Sequence, residues 1–426
     1  MSHEVIGVDQ KPSLGKWIPL SFQHVFAMFG ATVLVPLLTG LHPSVALFTS
    51  GIGTILYILI TGGQVPCYLG SSFAFIAPLI AISGSYGVAY ALGGAFSVGI
   101  MYLIVAGIIK FFGTNWLDKV LPPVVIGSVI MVIGLKLAPT AMDMAMTGGT
   151  GTYQLSFVVI AVVTLGIAIV STIVLKGFFT VIPILIAIVG GYLFTLIMGM
   201  FFPSYALINF DAVADAKWLG LVKPVLPKFG LVPVVTFMLV SFATIAEHLG
   251  DTMVISKVIG KDVYKKPGIH RTLAGDGIAT SVAALFGGPP NTTYGENIGV
   301  MAITRVYSVW VIGGAAVIAV LLSFIQKFGA IIQTIPTPVM GGISMMLFGI
   351  IASAGIRTVV ESGVDYSCKR NLTITSVILV VGIGGGKIMF PITDALQFQL
   401  ADVALATLVG IVLNLILPKT LNTAED

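Results

Sequence analysis

Charge is scarce in this chain. Of its 426 residues only 9% are Asp, Glu, Lys or Arg, whereas soluble domains carry about 25%. Seventeen acids and 21 bases cannot coat a soluble protein of this length, which excludes a cytosolic enzyme, a nucleic-acid binder and a disordered scaffold. Cysteine is rarer still. Cys67 and Cys368 offer neither a disulfide framework nor metal-ligand spacing. The sequence has no HExxH, no Walker GxxxxGK[ST] and no Cys/His constellation. No enzyme chemistry, metal or cofactor is therefore expected. The glycine-rich run at 382–387 follows no expected strand and carries no nucleotide signal.

Apolar residues are what the chain has in quantity. The hydrophobic fraction is 57%, with 50 Gly and 21 Pro, and the mean hydropathy is +1.07. Gly and Pro are both more frequent in membrane helices than in soluble ones. The composition implies a polytopic helical membrane protein with the lipid bilayer as its main partner. The first 15 residues are polar, so the apolar run from Trp17 reads as a span rather than as a signal peptide.

Fourteen apolar segments are expected to span. They lie near 17–39, 43–62, 66–82, 92–112, 121–138, 154–175, 180–201, 230–256, 270–287, 290–304, 306–327, 335–355, 371–388 and 399–418. The third, ninth and tenth are short or interrupted by Gly and Pro. With the N-terminus in the cytoplasm, fifteen of the 21 basic residues fall inside, Lys419 among them, and Lys223 falls outside. The positive-inside rule favours that orientation. The densest basic cluster, 257–271, then forms one cytoplasmic loop.

Self-comparison reveals a repeat. SFQHVFAMFGATVLV (21–35) lies over SFATIAEHLGDTMVI (241–255), GSSFAF (70–75) over NTTYGE (291–296), and PPVVIGSVIMVIG (122–134) over TPVMGGISMMLFG (337–349). The three offsets are nearly the same, about 220 residues, and the matches run in order. An ancient duplication accounts for this. Each half would hold seven spans, and an odd number forces the second half through the membrane in the opposite sense. Inverted repeats of this kind are a transporter signature, with the site near the midplane between them.

Acids inside a membrane need a reason, because a carboxylate at the bilayer centre costs at least ~2.5–3.5 kcal/mol. The candidates are Glu247, Asp251, Asp276, Glu296 and Asp402. Glu247 and Asp251 are four residues apart and share one helix face. Asp276 reads as a tie between its helix and its neighbours, and Asp402 as a cap on the last helix. His24 and His248 read as structural hydrogen-bonding groups. Glu296 follows Pro289, Pro290 and an extended-favouring Thr292, Thr293 and Tyr294; a helix is expected to start near Asn297. The stretch GSSFAFIAP (70–78) has the same character. Broken helices of this sort leave backbone N–H groups free at membrane depth, which is tolerated only where they line a cavity or lie buried in protein. Acceptor carboxylates, N–H donors and the aromatics Phe73 and Tyr294 suit a small, flat, neutral molecule such as a nucleobase.

Four stretches, SFQHVFAMFGATVLVP (21–36), GSSFAFIAP (70–78), AEHLGDT (246–252) and PNTTYGENIGVMAITRVYS (290–308), resemble the nucleobase–ascorbate transporter family, also called nucleobase:cation symporter-2. The resemblance covers nearly the whole chain. It implies two inverted seven-span repeats, with short strands in helices 3 and 10. It also implies a core domain of residues 1–113 and 230–330 and a gate domain of 114–229 and 331–426, the latter forming a homodimer. The family's substrate glutamates fall on Glu247 and Glu296. Its backbone amide contacts fall on Phe73 and Gly295, and its pocket walls on Tyr294 and Ala31. Proton coupling would involve Asp251, Glu247 and Glu296.

Glu in YGEN, where purine-transporting relatives usually carry Gln, points to uracil imported with protons across the cytoplasmic membrane, both termini being cytoplasmic. Asp251 stands where a uracil-transporting relative carries His and purine carriers often have Asp, and Phe348 stands where that relative has Tyr. Import of xanthine, uric acid or another base, and passive facilitation, are the alternatives.

Overall fold

The computed structural model describes residues 5–220, 224–393 and 396–418; Lys223 and Lys419 lie outside the described residues. The chain is mostly helical. In order it runs α1 (Leu14–Thr39), α2 (Pro43–Ile60), β1 (Leu69–Ser71), α3 (Ile76–Tyr86), α4 (Val88–Phe112), α5 (Asn115–Val120), α6 (Pro123–Lys136), α7 (Ala138–Thr147), α8 (Leu155–Val174) and α9 (Pro183–Phe201). A short α10 (Asp211–Asp215) precedes α11 (Leu231–Ile259), α12 (Ile269–Leu285), β2 (Asn291–Thr293), α13 (Gly295–Thr304), α14 (Val309–Ser323), α15 (Gln326–Gln333), α16 (Thr337–Glu361), α17 (Lys369–Ile383), β3 (Lys387–Thr393), β4 (Leu396–Ala401) and α18 (Asp402–Ile416).

Among the described residues eight helical stretches are long and apolar enough to cross a membrane: α1, α2, α4, the continuous α6–α7 pair, α8, α9, α11 and α16. The chain is a multi-pass membrane protein. Local signals set the helix ends. Pro43 occupies the first turn of α2, and the His42 ring accepts from Ser44 N at 3.2 Å. Gly260 ends α11 in the left-handed conformation at φ 68°, a geometry that favours glycine.

The helices pack in two groups. α4 runs along α12, α2 lies against α12 and α14, and α1 lies against α14. In the second group α16 is surrounded by α6, α7 and α8, and α17 lies between α6 and α18. Both groups rely on small residues where backbones touch. A Cβ added to Gly277 of α12 would sit 2.8 Å from the Gly99 carbonyl of α4, and one on Gly355 of α16 would sit 2.5 Å from the Gly127 carbonyl of α6. Without a hydrophobic drive between helices in lipid, such close approach is what holds them together.

Polar cross-links add to this. Tyr102 of α4 donates to Thr244 Oγ1 of α11 at 2.5 Å in a buried setting, and Thr244 itself donates to the Ser241 carbonyl at 3.1 Å. Tyr102→Phe removes one bond and leaves no donor stranded. We expect a loss of about 1 kcal/mol, read as a lower melting temperature of the purified protein, with transport retained.

The broken segments take a defined form. β1 and β2, about 220 residues apart in sequence, pair antiparallel with Leu69 opposite Thr293, Gly70 opposite Thr292 and Ser71 opposite Asn291. Side chains satisfy the ribbon's edges, as they must where no water is available. Thr54 of α2 receives the Leu69 N–H at 2.9 Å, Thr280 of α12 donates to the Asn291 carbonyl at 3.0 Å, and Asn291 Nδ2 donates to the Thr49 carbonyl at 3.1 Å.

A second ribbon was not expected. The segments 371–388 and 399–418 read as helices throughout, yet α17 ends at Ile383 and the β3–β4 hairpin separates it from α18. The cause is the Gly384, Gly385, Gly386 run, where Gly385 has φ 73°, followed by Pro391, which would remove a helical hydrogen bond and kink a helix at that point.

Candidate functional site

Each strand of the first ribbon feeds a helix. β1 leads through a 3-10 turn, Phe73–Phe75, into α3, and β2 leads through Tyr294 into α13, whose first residue is Gly295. Two helix starts, each with N–H groups that no helical carbonyl receives, therefore originate from one short ribbon. The helix dipoles place partial positive charge there. Gly295 is exposed, and a Cβ added to it would meet nothing within 4 Å. Phe73 is half-buried.

The acids converge on this point. Glu247 and Asp251 lie half-buried on α11, and Glu296 lies half-buried in the first turn of α13. Glu247 is within electrostatic reach of Asp251, Asp276 and Glu296. Between the two α11 acids the helix presents Gly250, where an added Cβ would again find open space. Asp251 is tied to the ribbon directly: Thr293 Oγ1 of β2 donates to its Oδ2 at 2.5 Å. The arrangement offers carboxylates that accept N–H groups beside backbone N–H groups that donate to a carbonyl oxygen. Among the described residues no cluster of His, Cys, Asp and Glu has the makings of a metal site.

The remaining expected residues fall behind this surface. Tyr294 is 3% exposed. Its hydroxyl donates to the Ser71 carbonyl at 3.1 Å and accepts from Thr32 Oγ1 at 3.2 Å, so it links both strands to α1. Ser71 Oγ donates to the Thr32 carbonyl at 3.2 Å. Ala31 is fully buried in the same packing cluster as Tyr68 and Tyr294. Phe348 is buried on α16, in a different cluster. His24, on α1, pairs with Asn297 Nδ2 at 3.1 Å through its ring and again through its carbonyl at 3.1 Å. That fixes α13 one residue beyond Glu296.

Asp276 is fully buried and 3.0 Å from the His248 ring, whose other nitrogen lies 3.0 Å from Thr272 Oγ1. The pair locks α11 to α12 on the helix face next to Glu247, as the tie expected of Asp276. Asp402 opens α18 and pairs with Lys136 at 2.7 Å, away from the other acids. A cavity of about 160 Å³ beside it, lined by Pro78, Thr236, Val240 and Asp402, includes none of the other candidate acids. Thr293, Ser71 and Thr32 were not expected at the site. Their sequence signals are a place in the matched repeat stretches and, for Thr293, the extended preference of its run.

A family model described as a permease family matches residues 15–389. The uracil permease of Bacillus subtilis (strain 168) is 51% identical over 431 residues, covering 99% of this chain and 97% of that protein. The uracil permease of Escherichia coli (strain K12) is 44% identical, covering 98% and 94%. These relatives are permeases, not enzymes. Among solved structures, the transmembrane domain of the cyanobacterial bicarbonate transporter BicA aligns at TM-score 0.66 and 14% identity, covering 96% of this chain and 100% of that one. The murine anion transporter Slc26a9 in its inward-facing state aligns at TM-score 0.72 and 10% identity, covering 96% and 69%. At those identities the likeness concerns the fold alone. With the family model spanning most of the sequence and full-length relatives at 44–51% identity, the chain belongs to the nucleobase–ascorbate transporter family.

Proposed function

We propose that this protein imports uracil together with protons across the cytoplasmic membrane. The observation that carries the reading is the meeting of Glu247 and Glu296 with two free helix starts, at Phe73 and Gly295, on one ribbon. Uracil presents two N–H donors and two carbonyl acceptors in one plane. Glu247 and Glu296 accept the N–H groups, and the amides of Phe73 and Gly295 donate to a carbonyl oxygen. Full-length relatives named uracil permease support the choice of base. Tyr294 and Ala31 shape the pocket from behind the ribbon, and protonation of the group Asp251, Glu247 and Glu296 couples transport to the proton gradient.

The mechanism is alternating access in a fourteen-span fold of two inverted repeats. A core of 1–113 and 230–330 moves against a gate of 114–229 and 331–426, and the gate pairs two copies in a homodimer. Both termini are cytoplasmic. The two packing groups and the strand pairing of matched repeat segments support this division. The test is labelled-uracil uptake in cells lacking their own permease. Uptake should concentrate uracil, and it should fall to background when the proton gradient is collapsed and in Glu296→Ala. Unchanged uptake in both conditions would overturn the mechanism, and equilibration without accumulation would indicate a facilitator. Asp251, shared with purine carriers, favours a second reading in which xanthine or uric acid is the cargo. In that case excess xanthine would abolish uracil uptake.

A further inference from the structure

Residues 6–11, just before α1, are not free. Ile6 and Val8 pair in parallel with the connection between α13 and α14: Ile6 N–H donates to the Arg305 carbonyl at 3.2 Å, Tyr307 N–H to the Ile6 carbonyl at 2.8 Å, and Val309 N–H to the Val8 carbonyl at 3.0 Å. Ser308, the residue that caps α14 by accepting from Trp310 N at 3.2 Å, also donates to the Gln10 carbonyl at 2.5 Å. Val8 is 3% exposed, so a hydrophobic side chain seats the segment. Lys11 then lies between two indoles, 5.6 Å from the Trp17 ring and 5.2 Å from the Trp310 ring, and Trp17 Nε1 donates to the Trp310 carbonyl at 2.6 Å. Asp9 reaches Lys261, just past the end of α11, at 3.6 Å.

The segment ties the far end of α13 and the first turn of α14 to the start of α1, and reaches the end of α11 through the exposed Asp9–Lys261 pair. α13 holds Glu296 in its first turn and ends at Thr304, where the strap begins its pairing; α11 holds Glu247 and Asp251 and ends at Ile259, two residues before Lys261. α13 is only ten residues long. Its near end is held by the ribbon and by the two His24–Asn297 bonds, and a clamp on its far end completes what fixes it in place. We propose that residues 6–11 are a positioning strap for the substrate site, with Val8 and Lys11 holding the α13–α14 connection against the start of α1 so that Glu296 and the Gly295 amide keep their place beside the ribbon. Lys11 and Val8 touch no substrate; they act through α13. The exposed Asp9–Lys261 pair contributes little alone. The backbone pairing and the Lys11 clamp carry the effect.

The proposal rests on the uracil-import reading, and its test separates the two. Full-length Lys11→Ala and Val8→Asn proteins are compared with the parent and with Lys11→Arg, whose guanidinium also stacks on indole rings. Uracil Kd and uptake KM should rise roughly three- to tenfold in Lys11→Ala and Val8→Asn. Vmax per inserted transporter should hold, and Lys11→Arg should stay near the parent. In parallel, hydrogen exchange should quicken across α13 but not across α4. Exchange needs no substrate, so its result stands even if the parent binds no uracil, an outcome that would instead sink the substrate reading. A parent that binds uracil beside variants with its Kd, its KM and its α13 exchange would overturn the strap.

Discussion

Glu247→Ala is expected to weaken uracil binding to the purified protein by roughly ten- to a hundredfold, the range set by losing a hydrogen bond to a charged acceptor worth about 1.5–3 kcal/mol. Glu247 sits half-buried on α11, three residues before Gly250, where an added Cβ would meet nothing within 4 Å. Glu247 is only half-buried, so truncating it removes an acceptor at less cost in packing than at a fully buried position. The expected signature is a raised Kd with little change in melting temperature. Glu247→Gln keeps one acceptor oxygen but turns amide donors toward a ligand N–H, so it should fall between the parent and Glu247→Ala. A Glu247→Ala protein that binds uracil within about twofold of the parent, a difference under ~0.5 kcal/mol, would remove Glu247 from the site. By contrast, Asp276→Ala strands the His248 ring in a fully buried position. It should be read chiefly in lost stability, because the group removed is a tie between α11 and α12.

Much of this site was legible in the sequence. A carboxylate inside an apolar helix is conspicuous, and Pro289, Pro290 and the Thr pair mark the break before α13. What the sequence could not supply is partnership at long range. Nothing in the spacing of 66–82 says that Leu69 faces Thr293, or that Thr54, Thr280 and Asn291 close the ribbon's edges. Those bonds join segments separated by up to 242 positions, and a Thr in a membrane helix reads the same whether it bonds its own turn or a distant strand.

The β3–β4 hairpin was missed for a related reason. A short apolar run rich in Ile, Phe and Leu fits helix and strand alike, and only the Gly384–Gly386 run decides between them. The strap was missed because the first residues look polar and solvated, while the partner that orders Ile6 and Val8 lies some 300 residues away. Tyr294 shows the limit of reading a role from residue type. An aromatic in a candidate pocket suggests a stacking wall, yet its hydroxyl is engaged on both sides with Thr32 and Ser71.

That geometry makes Gly70 the most sensitive position in the ribbon. A single methyl there would overlap the Tyr294 ring and lie 2.6 Å from its hydroxyl oxygen. The ring has nowhere to retreat, since it is 3% exposed and lies 6.5 Å, centroid to centroid, from Tyr68. Gly70→Ala must therefore push Tyr294 off Ser71 and Thr32 or part the strands. Either response shifts the start of α13, and with it the Gly295 amide and Glu296. Overpacking of this kind costs about 1–3 kcal/mol, and the displaced N–H donors and carboxylate should take uracil binding down by at least roughly a hundredfold. Tyr294→Phe, which deletes the hydroxyl but keeps the ring, should have a much smaller effect on both readouts. Tyr294→Ala removes what the new methyl strikes. In the Gly70→Ala/Tyr294→Ala double variant the stability losses should be clearly less than additive, with a coupling of about 1 kcal/mol or more. Strictly additive losses would mean that Gly70 and Tyr294 do not meet, and that the ribbon is held by its edge bonds alone.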